Sequence, residues 1–405
     1  MTLTRRDALT SFLAVGLVSA FTSACGRTDE SSSPATAASA GGPIVVAGSF
    51  PMSGPFAPIA AISRGAAAYF DKINAEGGVN GRKIKYVAYD DGYDPGRAAA
   101  NVRRGVDQEK AQVFLTFGVP GEVVRPYLNQ RKVFNAAWSG STQFSQVDKF
   151  PYSHAWWPDL TAETAVVARY VGRELPQAKV GVLTLNNDLA DAAEAGFQAG
   201  GITPKVFLKV PPNQQDNTAQ VAQMKSAGVD VLYLALGAPQ MVPTLKYMAQ
   251  IGYRPKTFVY SITVNRTSLL DPLTPEVAKG LHAALWLDDP ADPRRASDPG
   301  IKEYKKDIAA YGKGADADDM LVLNGFAGAA ALVAAMKNAE IQDADGYNAA
   351  WEAMKGVPAP GLIGATLNAG PGGRLVYRYQ VMEFDGSSWR NHGPVQDVVK
   401  AGLLK

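Results

Sequence analysis

The segment TFGVPGEVVRPYLNQRKVFNAAWSGST spans residues 116–142; it begins at the end of one apolar run and contains a helical segment followed by a second apolar run. The run Val113–Phe117 ends in the loop GVPG (residues 118–121), and the run at residues 133–137 ends in the loop WSGST (residues 138–142). In parallel sheets covered by helices, ligands bind at the carboxyl ends of the strands, so we expect both loops to face one crevice. Small hydroxyls and free backbone N–H groups there suit a carboxylate. The alternative interpretation is two ordinary surface turns.

The composition indicates a soluble globular protein with room for two domains. Of 405 residues, 46% are hydrophobic and 19% are charged. Forty Lys and Arg residues against 38 Asp and Glu residues leave a net charge of +2, which is too balanced for a nucleic-acid-binding surface. The single cysteine, Cys25, provides neither a disulfide framework nor a cysteine-based metal site.

The first 42 residues predict an export signal and a linker. Arg5 and Arg6 precede a short, largely apolar stretch from Ala8 to Ala24, directly before Cys25, which predicts a secretory signal peptide over residues 1–25 rather than a membrane-spanning helix. The paired arginines resemble a twin-arginine export signal. The Cys25 junction resembles a bacterial lipobox, in which the cysteine is lipidated; cleavage without lipidation is the alternative. Residues 26–42 are rich in Ser, Ala, Thr and Gly and predict a flexible tether.

The remaining chain alternates between strand-like and helix-like patterns. Apolar residues recur at helical spacing over Ala60–Ala75, and a β-rich run follows the turn GGVNG at residues 77–81. A second series of the same kind begins after residue 158 and includes the near-continuous apolar run at residues 229–236, typical of a strand buried on both faces. The sequence therefore predicts an α/β protein with parallel sheets and right-handed crossovers.

Three motifs occur in order near the start of this body: GSFPMSGPF (48–56), KINAEGGVNGRKI (72–84) and YDDGYDPGRA (89–98). Together they resemble the amino-terminal lobe of the bacterial leucine/isoleucine/valine-binding proteins, the type I periplasmic solute-binding proteins of ABC importers. The resemblance implies two Rossmann-like parallel-sheet lobes joined by a three-strand hinge, the Venus flytrap arrangement. It places lobe 1 at residues 43–155 plus 285–364 and lobe 2 at residues 156–284 plus 365–405.

The resemblance also implies the biological setting. We expect a protein, acting as a monomer, that captures a small molecule and delivers it to ABC permease and ATPase subunits on the extracytoplasmic face of the bacterial cell membrane. It would be attached to the membrane surface through the lipid anchor, or be periplasmic. A ligand-sensing domain that reports to a signalling partner is the alternative.

The site residues are carried over from the resemblance one position at a time. Ser139 and Ser141 match the hydroxyl positions that hold the ligand carboxylate in the fourth loop of lobe 1. Val119 stands at the third-loop hydroxyl position, where only its amide can donate, and Ile59 stands at an aromatic contact position. In lobe 2 the two tyrosine positions and the acidic position that pairs with the ligand ammonium correspond to Leu189, Ala238 and Ile262.

These departures change the expected ligand. Because a buried ammonium without a carboxylate partner carries a desolvation penalty of several kcal/mol, an ordinary α-amino acid fits poorly. We expect a small apolar or aromatic carboxylate, with Tyr93, Trp138 and Trp156 offering flat surfaces; core packing is the alternative for these aromatic residues. Ordinary binding of branched-chain amino acids is the alternative function.

Enzyme signatures are missing from the sequence. There is no HExxH zinc helix, GxSxG elbow, GxxxxGK phosphate loop or GxGxxG after a strand. We therefore expect no enzymatic activity, no cofactor and no metal, although an extracellular enzyme with a site built from distant residues stays an alternative. The three histidines are far apart in sequence. Asp90, Asp91 and Asp94 lack calcium-loop spacing and predict a solvated loop with a helix cap.

Overall fold

The amino-terminal sheet consists of five parallel strands in the order β2-β1-β3-β4-β5. The computed structural model describes residues 41–403, which form one compact unit. The strands are β1 (Ile44–Phe50), β2 (Ile84–Asp90), β3 (Val113–Phe117), β4 (Phe134–Trp138) and β5 (Ser153–Ala155), and the connecting helices are α1 (Ala60–Ala75), α2 (Pro95–Arg103) and α3 (Gly118–Gln130). Strands β3 and β4 are fully buried, as expected for a sheet covered by helices on both faces.

A second sheet begins after residue 155 and again contains parallel strands alternating with helices. Its parallel strands are β6 (Val180–Leu185), β7 (Val206–Val210), β8 (Val231–Ala235), β9 (Lys256–Val259) and β10 (His282–Leu285). Its helices are α4 (Leu160–Glu174), α5 (Asp188–Ala199), α6 (Thr218–Ser226), α7 (Ala238–Gln250) and the short α8 (Pro275–Ala278). Asp159 caps α4, because its carboxylate accepts hydrogen bonds from the first backbone amides of the helix.

After β10 the chain returns to the first sheet. The elements of this return are α9 (Pro299–Tyr311), α10 (Met320–Asn338), α11 (Ala344–Glu352) and the two-stranded ladder β11 (Lys355–Pro358) and β12 (Thr366–Asn368). Helix α10 packs on α1 so closely that a Cβ at Gly325 would overlap the Ile62 carbonyl. By length and composition α10 could cross a membrane, but 89% of its apolar window is buried, so here it is the core helix of the first sheet.

The last segment completes the second sheet. Strands β13 (Arg378–Phe384), β14 (Trp389–Asn391) and β15 (Gln396–Asp397) are antiparallel, and the order is β14-β13-β10-β9-β8-β6-β7 with β15 on β13. The chain thus passes between the sheets three times, after β5, after β10 and before β13. The predicted fold class, two parallel-sheet lobes with a three-strand hinge, is confirmed. Lobe 1 below means the first sheet with its helices, and lobe 2 means the second.

The exact lobe boundaries at residues 155, 284 and 364 stay a prediction. Strand β10 pairs with β13 through Leu285, one residue beyond the second boundary, and β11 pairs with β12 across the third. The predicted signal peptide, Cys25 and all of the tether except Gly41 and Gly42 lie outside the described residues.

Candidate functional site

A cleft of about 480 Å³ lies where the carboxyl ends of the strands of both sheets face one another. Lobe 1 contributes residues that directly follow β1, β2, β3 and β4, and lobe 2 contributes residues at the ends of β6, β7, β8 and β9. Nine of the ten predicted ligand-binding residues line it: Ile59, Tyr93, Val119, Trp138, Ser139, Ser141, Leu189, Ala238 and Ile262. Their ligand contacts stay predictions, but the structure brings these nine positions to one cavity.

Ser139 and Ser141 follow β4, and their hydroxyls are already engaged within lobe 1. The Ser139 hydroxyl donates to Glu122 Oε1 at 3.3 Å, and the Ser141 amide donates to Ser139 Oγ at 3.3 Å. The Ser141 hydroxyl accepts from the Gln143 amide at 3.3 Å and so caps the short helical turn that follows. A hydroxyl that accepts one hydrogen bond still has a proton to donate, and the Ser141 proton is available to the Glu122 carboxyl or to a ligand oxygen in its place.

Glu122 lines the cleft beside these serines, and the sequence reasoning missed it. Burial and, to a smaller extent, the nearby Asp188 raise the pKa of its carboxyl to about 7, although the Ser141 and Ser139 hydroxyls and Arg125 oppose the rise. One feature of the sequence could have identified Glu122: it lies three residues after Val119, on the first turns of α3. Side chains of a helix tilt toward its amino terminus, so the Glu122 side chain is directed back toward the end of β3.

Tyr93 forms the outer wall of the cleft on lobe 1. Its ring packs on Phe56 with 4.4 Å between centroids, and its backbone has the left-handed φ of 64°. Burial raises the pKa of its hydroxyl to about 12, opposed by a hydrogen bond from the Val119 amide. The Val119 N–H, expected to donate to a ligand, therefore already has a partner in Tyr93. A Cβ at Gly118 would stand 3.0 Å from the Tyr93 hydroxyl, so glycine lets this ring close over the helix start.

Trp138 forms the floor of the cleft, whereas Trp156 does not line it. Both indole N–H groups donate to the Asn324 side-chain oxygen, from Trp138 at 2.7 Å and from Trp156 at 3.0 Å. Trp156 is fully buried and packs edge-on against Trp286, with 5.4 Å between ring centroids. These two residues lie just after β5 and just after β10, so Trp156 belongs to the core of the hinge, and the expected contact between its ring and a ligand does not fit its position.

Asp188 is the one acidic residue on the lobe 2 side of the cleft among the described lining residues, which also include neutral polar side chains such as Asn213, Gln240 and Ser268. Leu189 and Ile262 pack with Tyr260 in one apolar cluster, and Ala238 begins helix α7. No carboxylate occurs at position 262, but Asp188 lines the cleft from the first turn of α5. Tyr260 and Asp188 were also missed, although Asp188 directly precedes Leu189 and Tyr260 lies two residues before Ile262, both predicted site positions.

A buried carboxyl holds the loop behind Ile262. Glu163 accepts from the Ser261 hydroxyl at 2.6 Å and from the Ser261 amide at 3.0 Å, and the Tyr233 hydroxyl lies 3.3 Å away. Complete burial raises the pKa of Glu163 to about 8, although these hydrogen bonds oppose the rise. Glu163 is therefore neutral at pH 7 and positions the end of β9 at the cleft.

Two of the three histidines meet far from the cleft. His282, Glu383 and His392 present ligand atoms within 4.8 Å of one another, at the end of the second sheet opposite the cleft loops. However, the Lys256 ammonium stands 3.0 Å from His282 Nε2, and burial together with Lys256 lowers the pKa of that imidazole to about 3. A positive charge thus occupies the place where a metal ion would approach His282.

The aspartates near β2 act within their own turn. Asp94 caps α2 by accepting from the Arg97 amide at 2.7 Å, and Asp91 accepts from the Ser49 hydroxyl at 2.8 Å. The Asp90 carboxylate accepts from Ser53 and Arg97, which together with backbone amides lower its pKa. The Asp94 contact fits the predicted helix cap, but Asp91 is buried against Ser49, so the prediction of a solvated loop is wrong for this residue.

Comparison with known proteins places this architecture among binding proteins. A profile described as "Periplasmic binding protein" matches residues 43–388. An amino acid binding protein of Pseudomonas aeruginosa is 26% identical over 328 residues, which cover 80% of this chain and 84% of that protein.

Solved structures share the fold. A solute-binding protein of an ABC transporter from Rhodopseudomonas palustris, in complex with 3,4-dihydroxybenzoic acid, superimposes with a TM-score of 0.73 at 21% identity, covering 87% of this chain and 97% of that one. A branched-chain amino acid ABC transporter protein from Thermus thermophilus, with bound valine, superimposes with a TM-score of 0.76 at 18% identity, covering 88% and 97%.

Proposed function

The chain belongs to the periplasmic binding protein family, and we propose from this premise that it captures a small apolar or aromatic carboxylate in the cleft between its lobes. The family is one of exported, extracytoplasmic solute-binding proteins that serve ABC transporters, rather than of enzymes. The observation that carries the proposal is the cleft itself. Residues from both lobes line one cavity whose walls are mainly apolar, with the Ser139 and Ser141 hydroxyls on one side.

The shape and polarity of the cleft support an aromatic or apolar ligand. Phe56 and Tyr93 supply aromatic surface on lobe 1, with the buried Trp138 at the floor, and Leu189 with Ile262 supplies aliphatic surface on lobe 2. Leu189 and Ala238 stand at the positions where the resemblance places tyrosines, and their smaller side chains leave more room for a bulky ligand. The related fold that holds 3,4-dihydroxybenzoic acid in its R. palustris representative accommodates an acid of this kind.

Capture would proceed by closure of the lobes about the hinge. A ligand that touches both lobes stabilises the closed arrangement by its greater affinity for it. Ser139 and Ser141 from lobe 1 and Leu189 and Ile262 from lobe 2 would contact opposite ends of the same molecule. The closed form is then the one that permease subunits recognise.

Branched-chain amino acid binding is the second candidate function, and Asp188 favours it. This carboxylate lines the cleft from lobe 2, where an ammonium group of an amino acid would need a partner. Under this alternative, leucine or valine would bind tightly and Asp188→Asn would weaken binding more than tenfold. Under our proposal, Asp188→Asn leaves the affinity for an aromatic acid unchanged or improved, because it removes a negative charge.

The proposed cellular setting is a lipid anchor at Cys25, with ABC permease and ATPase subunits as partners. Metabolic labelling with palmitate should mark the wild-type protein and not Cys25→Ala. Labelling that persists in Cys25→Ala contradicts the anchor at this residue. Acyl chains at this position would hold the folded lobes at the membrane surface without spanning it.

Mass spectrometry of small molecules that co-purify with the protein tests the ligand class directly. We expect an aromatic or aliphatic acid, and its titration into stripped protein should raise the melting temperature. A parallel thermal-shift panel of 4-hydroxybenzoate, 3,4-dihydroxybenzoate, octanoate, leucine and valine ranks the two candidates. Tight leucine binding with no binding of the other acids contradicts the proposal.

A further inference from the structure

The Glu122 carboxyl already accepts the hydrogen bond from the Ser139 hydroxyl that the proposed function assigns to the ligand carboxylate. Ser139 donates to Glu122 Oε1 at 3.3 Å, and the Ser141 hydroxyl also acts on the Glu122 carboxyl. Both serines and Glu122 line the same cavity. A ligand carboxylate placed at these serines therefore lies directly beside a side-chain carboxyl of the protein.

Glu122 has no basic partner among the described residues that line the cleft. Among the described residues that line the cavity there are two acids, Glu122 from α3 and Asp188 from α5, and no Lys, Arg or His. Tyr93 from the loop after β2 and Tyr260 at the end of β9 carry hydroxyls whose pKa burial raises, so both are neutral at pH 7. The titratable groups that face Glu122 across the cleft are thus two neutral tyrosine hydroxyls and one further carboxyl group.

Arg125, one turn along α3, is directed away from the cleft. Its Nη1 donates to the Gln143 carbonyl, and its guanidinium stacks on Phe150 at 4.1 Å and on Phe144 at 4.9 Å. It does not line the cavity. Arg125 therefore fixes the loop after β4 and leaves the charge on Glu122 largely uncompensated.

Two carboxyl groups at hydrogen-bonding distance do not both ionise in a partly buried site, because like charges in a low dielectric repel strongly. They share one proton and titrate as a pair. Burial and Asp188 already raise the pKa of Glu122 to about 7 in the protein without ligand. An anionic ligand beside it favours the protonated form further.

We infer that Glu122 is a specificity-determining residue of the cleft: in its neutral form it donates a hydrogen bond to the ligand carboxylate at Ser139, so that an acid binds together with one proton. This inference rests on the proposed function, since it concerns the carboxylate end of the ligand. The cleft selects acids whose carboxylate accepts a hydrogen bond from Glu122. Release of the bound acid is favoured at a pH where Glu122 loses its proton. No covalent bond changes in this step; the proton comes from solvent and returns to it.

Isothermal titration with 4-hydroxybenzoate at pH 6.0, 7.0, 8.0 and 8.5 tests the inference. A group that must be protonated and titrates near pH 7 weakens binding by about tenfold for each pH unit above 7 and leaves it nearly constant below. Glu122→Gln, whose amide donates without titrating, should bind at pH 6 within about threefold of wild type and keep that affinity at pH 8.5. Asp191→Asn, an equal change of charge on the exposed face of α5, should follow the wild-type profile.

The possible outcomes distinguish a failure of the proposed role of Glu122 from a failure of the proposed ligand capture. Wild-type affinity that is strong and independent of pH overturns the role of Glu122 and leaves the proposed function standing. No binding of 4-hydroxybenzoate, 3,4-dihydroxybenzoate or octanoate by either protein at pH 6 overturns the proposed function. Tighter binding of 4-hydroxybenzylamine than of the acid, lost in Glu122→Gln, shows an ionised Glu122 that accepts from a cation and overturns both. Circular dichroism of each variant establishes that it is folded.

Discussion

The Asp159 carboxylate contacts the Arg374 guanidinium at 2.7 Å, and both side chains are almost completely buried. Asp159 follows the first passage between the lobes and caps α4, whereas Arg374 lies on the third passage, just before β13. The Tyr379 hydroxyl also donates to the Asp159 carbonyl at 3.3 Å. The pair therefore ties two of the three hinge segments together.

Arg374→Met should lower the free energy of unfolding by about 3–5 kcal/mol, because it leaves a buried carboxylate without its cation. Chemical denaturation measures this value. Arg173→Met removes an arginine from the exposed pair with Glu174 and should cost at most about 1 kcal/mol. Equal losses in the two variants would show that the hinge pair contributes no more than a surface pair.

The serine anchor is tested by Ser139→Ala combined with Ser141→Ala. Hydrogen bonds to a charged group contribute about 1.5–3 kcal/mol each, so the affinity for 4-hydroxybenzoate at pH 6 should fall at least tenfold while the protein stays folded, although the lost cap at Ser141 lowers its stability by about 0.5–2 kcal/mol. Ser268→Ala removes a cleft serine on lobe 2 and should stay within about threefold of wild type. Unchanged affinity in the double variant removes both serines from the site.

Gly328 on α10 sets the position of the cleft floor. A Cβ there would overlap the Trp138 ring and approach Trp156 Nε1 to 2.9 Å. Gly328→Ala should therefore destabilise the protein by about 1–3 kcal/mol and weaken ligand binding, because overpacking displaces the indoles. Gly172→Ala in α4 meets nothing closer than 3.8 Å and should stabilise by up to about 1 kcal/mol. If the Gly328→Ala variant keeps wild-type stability and ligand affinity, the close packing of Gly328 against the Trp138 and Trp156 rings does not set the position of the cleft floor.

The raised pKa of the buried Glu163 carboxyl predicts that the free energy of unfolding depends on pH. Its pKa is about 8 in the folded protein and near the ordinary 4.5 when unfolded. Its contribution is therefore fully present below pH 4.5 and is lost as the pH rises through 8, since unfolding releases the proton. Thermal melts should show that raising the pH from 5 to 8.5 costs the wild type more than Glu163→Gln, with Glu174→Gln as the exposed control. Parallel profiles in all three proteins contradict a buried neutral Glu163.

Local patterns predicted strands alternating with helices in parallel sheets, whereas the two lobes, the three-strand hinge and the lobe 2 site positions were implied by the family resemblance. The loops that carry Ser139, Leu189 and Ile262 follow apolar runs, and topology alone brings the carboxyl ends of parallel strands together. Glu122 was missed because a carboxylate on the first turns of a helix is common and nothing local shows burial. Trp156 was misplaced because its hydrogen-bond partner, Asn324, lies 168 residues away in sequence.

The central claim is that the two lobes close on one small acid held between Ser139 and Ile262. Small-angle X-ray scattering of stripped protein at pH 6, alone and with saturating acid identified by co-purification or by the thermal-shift panel, measures closure directly. We predict a smaller radius of gyration with the bound acid and no change for Ser139→Ala/Ser141→Ala at the same concentration. Superimposable profiles with and without an acid that calorimetry shows to be bound would contradict the account.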